Sequence, residues 1–478
     1  MKKTKWIKHH KWFGLIFCFF MMMFCISGII LNHRTTFADI NVSRSYLPDA
    51  YRFERWNNGL LRGSAEYLTP GVEDRRILLY GNSGIWMTDT AFSSFADFNR
   101  GLPNGVDYRN VRGIVQTPDR SLFAAAQFGV YRHDGDSWRC ILKPEDGESR
   151  FSDIVVRGDS LVVAGRSKLY VSLPPYAEFR SLMLQAPEDY DGKVSLFRTV
   201  WLLHSGEMLG LAGKLLMDAV ALVFIVHCVT GILFWLLPKY MRKARKVSFN
   251  WHNVLGRRLF YLLLFVVFTG WCLRPPVLIA LVKAMVPPVA GSELDSPNPW
   301  NDKLRMIRYD AACGDWLLST SEGFYSLKTL ETVPVKVNDA PPVSVMGLNV
   351  FHQEKDGRWL CGSFSGLFRW NRSENTAVDY FTGEPAPKKQ GPPFGKRAVS
   401  GFCQNDNGPD GIVEYYAGSS FIQMPEEMAS LPMSLWNLAL EVHTGRIYTI
   451  LGPATLIYIF FAGLAALWCL WSGWKVRK

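Results

Sequence analysis

The 478-residue chain has nine cysteines but no CxxC and no CxxCH among them. This removes a zinc ribbon and covalently attached c-type haem. It also lacks HExxH, GxSxG, a P-loop, and any GxGxxG placed behind a strand. Metalloprotease, serine hydrolase and nucleotide-dependent chemistry lose their usual signatures with them. Acidic residues are missing from three stretches: residues 1–11 with five lysines, 238–258 with seven Lys or Arg, and 475–478 with three. Outside these stretches the chain carries 38 basic and 42 acidic residues, so the overall +11 is local to them. The basic excess is therefore topogenic, and the pI of about 9.1 gives no reason to expect nucleic acid.

Charge is also missing from long runs. Trp12–Leu31, Ala219–Leu237, Leu259–Leu273 and Leu451–Trp474 are apolar enough to predict four transmembrane helices. The third would start near Trp251 after a basic loop. Trp6, Trp12, Trp235, Trp251, Trp471 and Trp474 fall near the ends, as interfacial anchors do. The first run has no small-x-small cleavage site, so it is expected to be a retained anchor. The positive-inside rule puts both termini and the 238–258 loop in the cytoplasm of a bacterial-type inner membrane. The expected order is a basic tail at 1–11, a span at 12–33, an outer segment at 34–203, and a span at 204–237. A basic loop at 238–250, a span with an interfacial segment at 251–286, a second outer segment at 287–442, a span at 443–474 and a tail at 475–478 follow. The cytoplasmic parts are too short to bind NADH or flavin as a domain.

The outer segments repeat a phrase in which a turn is followed by an apolar residue and usually an aromatic. It occurs at Gly84-Ile85-Trp86, Gly129-Val130-Tyr131, Lys168-Leu169-Tyr170, Gly323-Phe324-Tyr325, Gly366-Leu367-Phe368 and Ser420-Phe421-Ile422. Short β-prone runs precede most of them, and the period is near forty residues. That period predicts an extracytoplasmic β-propeller built from two inserted segments, outside a four-helix transmembrane bundle. Two separate small β-domains are the other arrangement this pattern allows. The stretch Asp356–Trp370 resembles the propeller unit of two-component regulators. Of the outer cysteines, Cys140, Cys313, Cys361 and Cys403 are in a compartment where disulfides are possible.

Six of nine histidines lie at or within the apolar runs. His33, His204 and His443 approach the outer face. His10 and His252 approach the inner face, with His227 deeper. Histidine is rare inside membranes and is a good haem ligand, so two layers predict one or two b-type haems, with iron held through these histidines. His33 with His204 is the first choice outside, with His443 the alternative; inside, His227 would pair with His10 or His252. His133 and His352 fall in outer-segment turns and are expected on the solvated surface. Lys214 and Asp218 form an i,i+4 pair, and Arg274 ends the third span; Lys214 and Arg274 are candidate charge partners for haem propionates.

The helices also repeat a Ser/Thr-Gly step: Ser27-Gly28, Thr230-Gly231, Thr269-Gly270 and Ser472-Gly473. Small residues let helices approach closely in lipid. The chain is similar to the PepSY-associated transmembrane helix proteins on His10-Lys11-Trp12-Phe13-Gly14-Leu15, Leu203-His204-Ser205-Gly206 and Thr230-Gly231-Ile232-Leu233-Phe234-Trp235. That resemblance implies haem between the helices and, for some members, reduction of ferric siderophores. A PepSY domain itself is not seen. The expected function is a membrane oxidoreductase that takes electrons from quinol or another membrane donor and delivers them to a ferric chelate outside. The alternative is a membrane sensor or ligand-binding protein, whose outer segments capture a small ligand.

Overall fold

The computed structural model describes all residues except 1–2, 70–74, 146–147, 283, 345, 389–394, 396, 405–410, 453 and 478. The chain divides into two compact units. The first comprises Met1–Phe37, Asp191–Pro297 and Leu435–Lys478; the second comprises Ala38–Tyr190 and Asn298–Ser434.

The first unit is helical. Its main helices are α1 (Lys3–Asn32), α2 (Leu196–Ser205), α3 (Gly210–Leu236), α4 (Arg242–Arg258), α5 (Phe260–Cys272), α6 (Leu435–Thr444) and α7 (Ala454–Arg477). Three described helical stretches are long and apolar enough to cross a membrane: Lys3–Asn32, Glu207–Leu236 and Ala454–Val476. The expected set of four straight spans is corrected here. The third span is broken at Leu259 into α4 and α5, which are bent by 70°. The basic Arg257-Arg258 step separates a polar helix from an apolar one, so the two segments suit different surroundings. The unit's core packs Val220, Phe224 and Cys228 of α3 against Leu263 and Val267 of α5 and Ala466 of α7.

The second unit is built of antiparallel sheets whose strands follow one another in sequence. Four sheets have four strands each, spanning Val111–Leu142, Asp153–Leu182, Leu304–Val337 and Leu348–Asp379. A six-stranded sheet joins Gly63–Asp97 to Val399–Cys403 and Gly411–Glu414, through a parallel contact between Gly63 and Phe402. Five of the six repeated phrases start or fall within the third strand of their sheet; Ser420–Ile422 lies outside any strand. Gly84 and Gly366 start such strands at φ of 109° and 143°, backbone that a side chain rarely adopts.

Alternation along these strands puts apolar side chains between sheets, and the cores form at those junctions. Tyr67, Leu78 and Ile85 meet Val111, Leu122 and Trp138. Phe123 and Val130 meet Ile154, Leu161 and Tyr170, and Val162 and Leu169 meet Leu304, Trp316 and Tyr325. The expected closed propeller is corrected: the hydrogen-bonded strands form separate open sheets, and no strand ladder returns on itself among the described residues. Apolar packing between sheet faces, with no continuous ladder, holds the unit together.

Buried charges in this unit bridge sheets. Asp153 is fully buried, and its carboxylate accepts from the Ile307 amide at 2.9 Å and from the Arg308 guanidinium. Burial pushes the Asp153 carboxyl up, against the opposing pull of Arg308. Asp310 accepts from the indole of Trp359 at 3.0 Å and from Arg372, joining the Leu304–Val337 sheet to the next one. Among the described residues all nine cysteines are free thiols, so Cys140, Cys313, Cys361 and Cys403 form no disulfide. His133 and His352 are strand residues packed on rings, His133 at 4.6 Å from Phe98 and His352 at 4.8 Å from Phe402. Neither is the solvated turn residue expected.

Candidate functional site: two facing histidine pairs

The helical unit gathers its histidines by one joint used four times. On α1, Ser27 turns its hydroxyl back onto the carbonyls of Met23 and Phe24, at 2.8 and 3.1 Å. The Nδ1 of His443, from α6, lies 3.0 Å from both the Ser27 hydroxyl and the Phe24 carbonyl. On α5, Thr269 bonds back to Phe265 and Val266, and the Nδ1 of His204, from α2, lies 3.2 Å from its hydroxyl. On α7, the Nδ1 of His10, from α1, lies 3.1 Å from the Cys469 carbonyl and 3.3 Å from the Ser472 hydroxyl. On α3, Thr230 bonds back to Val226 and His227, and the Nδ1 of His252, from α4, lies 3.0 Å from the His227 carbonyl.

The glycine that follows each Ser or Thr makes room for the imidazole. A Cβ on Gly28 would stand 3.4 Å from Cε1 of His443, and one on Gly231 would stand 3.0 Å from that of His252. On Gly270 it would be 2.8 Å from Cε1 of His204, and on Gly473 2.8 Å from that of His10. Real Cβ contacts are not as short as 2.8 Å, so at Gly270 and Gly473 a methyl group displaces the ring, and at Gly231 it crowds the ring. The Ser/Thr-Gly step is therefore a seat for a histidine from a neighbouring helix.

The four seated rings face each other in two pairs. His204 and His443 have ring centroids 6.1 Å apart at 51°, and His10 and His252 have centroids 5.9 Å apart at 45°. An Nδ1–H donating to a main-chain carbonyl leaves the ring lone pair on Nε2, the tautomer that binds a metal. Two metal–nitrogen bonds of about 2 Å placed end to end between two imidazoles put the ring centres roughly 6 Å apart. Both pairs fit that spacing. Among the described residues no group of three or more His, Cys, Asp or Glu is gathered as a protein-only metal centre would need. A tetrapyrrole supplies four equatorial ligands itself and takes two from the protein, which is what each pair offers.

The remaining candidates have other partners. His33 does not join His204: its Nε2 lies 2.5 Å from Asp218 Oδ2, and Asn32 donates to Oδ1 of the same carboxylate at 2.9 Å. Lys214 does not pair with Asp218 but reaches Glu207 at 2.8 Å. His227 is buried and stacks on His252 with centroids 4.1 Å apart at 6°, beside the His10–His252 pair. Arg274 donates through Nη2 to the His443 main-chain carbonyl at 2.7 Å, which places a guanidinium beside the His204–His443 pair. Sequence reading missed the roles of Ser27, Thr230, Thr269 and Ser472. Their signal was present in the repeat, but intervals along one helix do not say which neighbour supplies the ring.

The electron-transfer and ferric-reductase expectation is corrected. Among the described residues no group of three or more His, Cys, Asp or Glu is gathered to hold a metal ion. Nothing in the described residues supports a ferric-chelate acceptor or a quinol donor.

The model of the PepSY-associated TM region matches residues 7–476. With three membrane-length helices, this makes the chain a multi-pass membrane protein of that family. Among curated proteins none matches. Similar solved structures include the extracellular domain of a putative hybrid two-component system from B. thetaiotaomicron, 12% identical at a TM-score of 0.33, with 76% of this chain and 39% of that chain covered. Another is the extracellular domain of a putative one-component system from B. thetaiotaomicron, 10% identical at a TM-score of 0.24, with 74% and 38% covered. The chain thus spans about two-fifths of the length of these structures. A likeness this slight transfers neither fold nor ligand.

Proposed function

We propose that the protein is a membrane-anchored sensor or ligand-binding protein whose helical unit holds haem b between histidine pairs. His204 and His443 would bind one haem, and His10 and His252 a second. The positive-inside rule places both termini and the 238–258 loop in the cytoplasm and the sheet unit outside. The observation that carries the haem reading is the fourfold seat: each ring is held through Nδ1 and given room by a glycine, in two pairs near 6 Å.

A haem ligated by two imidazoles supplies a six-coordinate iron whose spectrum is sensitive to the spacing and angle of the two rings. The chain's own residues set that spacing. Ser27 and the Phe24 carbonyl orient His443, Thr269 orients His204, and the Arg274–His443 contact restrains α6. The sensor reading is supported by connectivity. The helix carrying His443 starts one residue after a strand, Met433–Ser434, that pairs with Asn41–Val42 near the exit of α1. Both chain segments that build the His443 seat therefore continue directly into the sheet unit.

The test is an absorption spectrum of the full chain, purified after expression with ample haem. The proposal expects a bis-histidine b-type spectrum with two components. His204→Ala and His443→Ala should each remove one and the same component; His10→Ala and His252→Ala should remove the other. Absence of bound haem, or loss of a component in His33→Ala with both retained in His443→Ala, would overturn it.

A further inference from the structure

The α4 helix has three distinct sides. Ser248, His252 and Gly256 recur at four-residue steps on the side packed against the unit; Ser248 and Gly256 are buried. Arg245 donates to the Phe234 carbonyl at 3.3 Å, and the Phe249 ring lies 5.1 Å from that of Phe234. With His252 seated over Gly231, the partners run in opposite directions, so α4 lies antiparallel to the end of α3.

Away from that face, Val247, Trp251 and Val254 recur at i, i+4 and i+7 with 56%, 55% and 41% of their surface exposed. They form an apolar stripe that the described residues leave about half exposed. Beside the stripe, Lys243, Lys246 and Arg257 are exposed, and residues 238–258 contain no acid. Topogenic charge explains the lysines and arginines but not an exposed apolar stripe laid along them. An apolar stripe flanked by a cationic sector, on a helix tied at both ends to apolar helices, matches one surface: acyl chains beneath anionic headgroups.

We propose that α4 docks on anionic phospholipid, with Val247, Trp251 and Val254 between the acyl chains and Lys243, Lys246 and Arg257 on the headgroup phosphates. Because Trp251 and His252 are adjacent, this contact also fixes the turn that presents His252 to the inner pair. The surface does not depend on whether haem is bound.

Hydrogen exchange of the full chain in lipid nanodiscs tests this. Discs of phosphatidylcholine alone are compared with discs that also contain phosphatidylglycerol. The amides of 242–258 should exchange about tenfold more slowly in the anionic discs, and added salt should erase much of the difference. In Lys243→Gln/Lys246→Gln/Arg257→Gln the two disc types should give equal exchange there, with α7 protection unchanged as the folding control. Val247→Asn/Val254→Asn should lower protection in both discs. Equal exchange of the unmodified chain in both discs would overturn the proposal, as would a lipid difference that survives in the charge-neutral variant.

Discussion

The outer and inner histidine pairs share a joint and differ in what surrounds it. In the His204–His443 pair both rings contact a Ser or Thr hydroxyl, and a half-buried arginine clamps the backbone of one of them. In the His10–His252 pair His10 contacts a serine hydroxyl, His252 bonds a main-chain carbonyl, and a third histidine lies flat against the His252 ring. The joint needs only three parts: a helix carbonyl, a small hydroxylated residue that turns back on its own helix, and a glycine. What is added around it can vary. Both pairs are held by hydrogen bonds; the His204–His443 pair adds an arginine, the His10–His252 pair a stacked histidine.

The largest effects should come from removing rings. His443→Ala should empty the outer site and leave the inner haem in place, while His10→Ala does the reverse. A haem-to-protein ratio that falls by half in each, with different components lost, is the expected reading. Next in size is a change that leaves both pairs alone. Asp153→Ala removes the buried carboxylate that pairs with the Arg308 guanidinium between two sheets and should destabilise the sheet unit by about 3 kcal/mol, measured by denaturant unfolding, with haem content unchanged. Loss of haem in this variant would show that the sheet unit props the histidines.

Smaller effects separate the two pairs. Gly270→Ala and Gly473→Ala both intrude on a ring at 2.8 Å and should cost about 1–3 kcal/mol; each should perturb only its own component in the low-spin electron paramagnetic resonance spectrum. Ser27→Ala removes a hydroxyl bonded to His443 and should weaken outer haem binding about tenfold in a titration of the haem-free protein. Thr230→Ala should do much less, because the Thr230 hydroxyl turns onto the Val226 and His227 carbonyls while the Nδ1 of His252 bonds the His227 carbonyl. Equal losses in these two variants would erase the distinction between the pairs.

Much of this layout was legible in the sequence. The uncharged runs located α1, α3 and α7, because a run of apolar residues leaves few alternatives to a buried or membrane helix. The turn-plus-aromatic phrase marked the third strands, because the residue after a tight glycine turn must face a core. The break at Leu259 had no proline to announce it; only the change from basic to apolar composition did. Pairing was harder. His33 and His204 stand near the same face by count along the chain, yet Asp218 captures His33 and leaves His204 to His443. Lys214 had two carboxylates within reach along its helix, and the turn at Gly210 brings Glu207 to it. Such choices depend on rotation and crossing of helices, which linear spacing does not encode.

The most direct measurement is low-temperature electron paramagnetic resonance of the oxidised full chain after expression with ample haem, alongside His204→Ala, His252→Ala and His33→Ala. Two low-spin bis-imidazole signals are expected, with one absent in His204→Ala, the other absent in His252→Ala, and both present in His33→Ala. A protein that takes up no haem, or one whose signals survive in both His204→Ala and His252→Ala, would contradict the two-pair assignment.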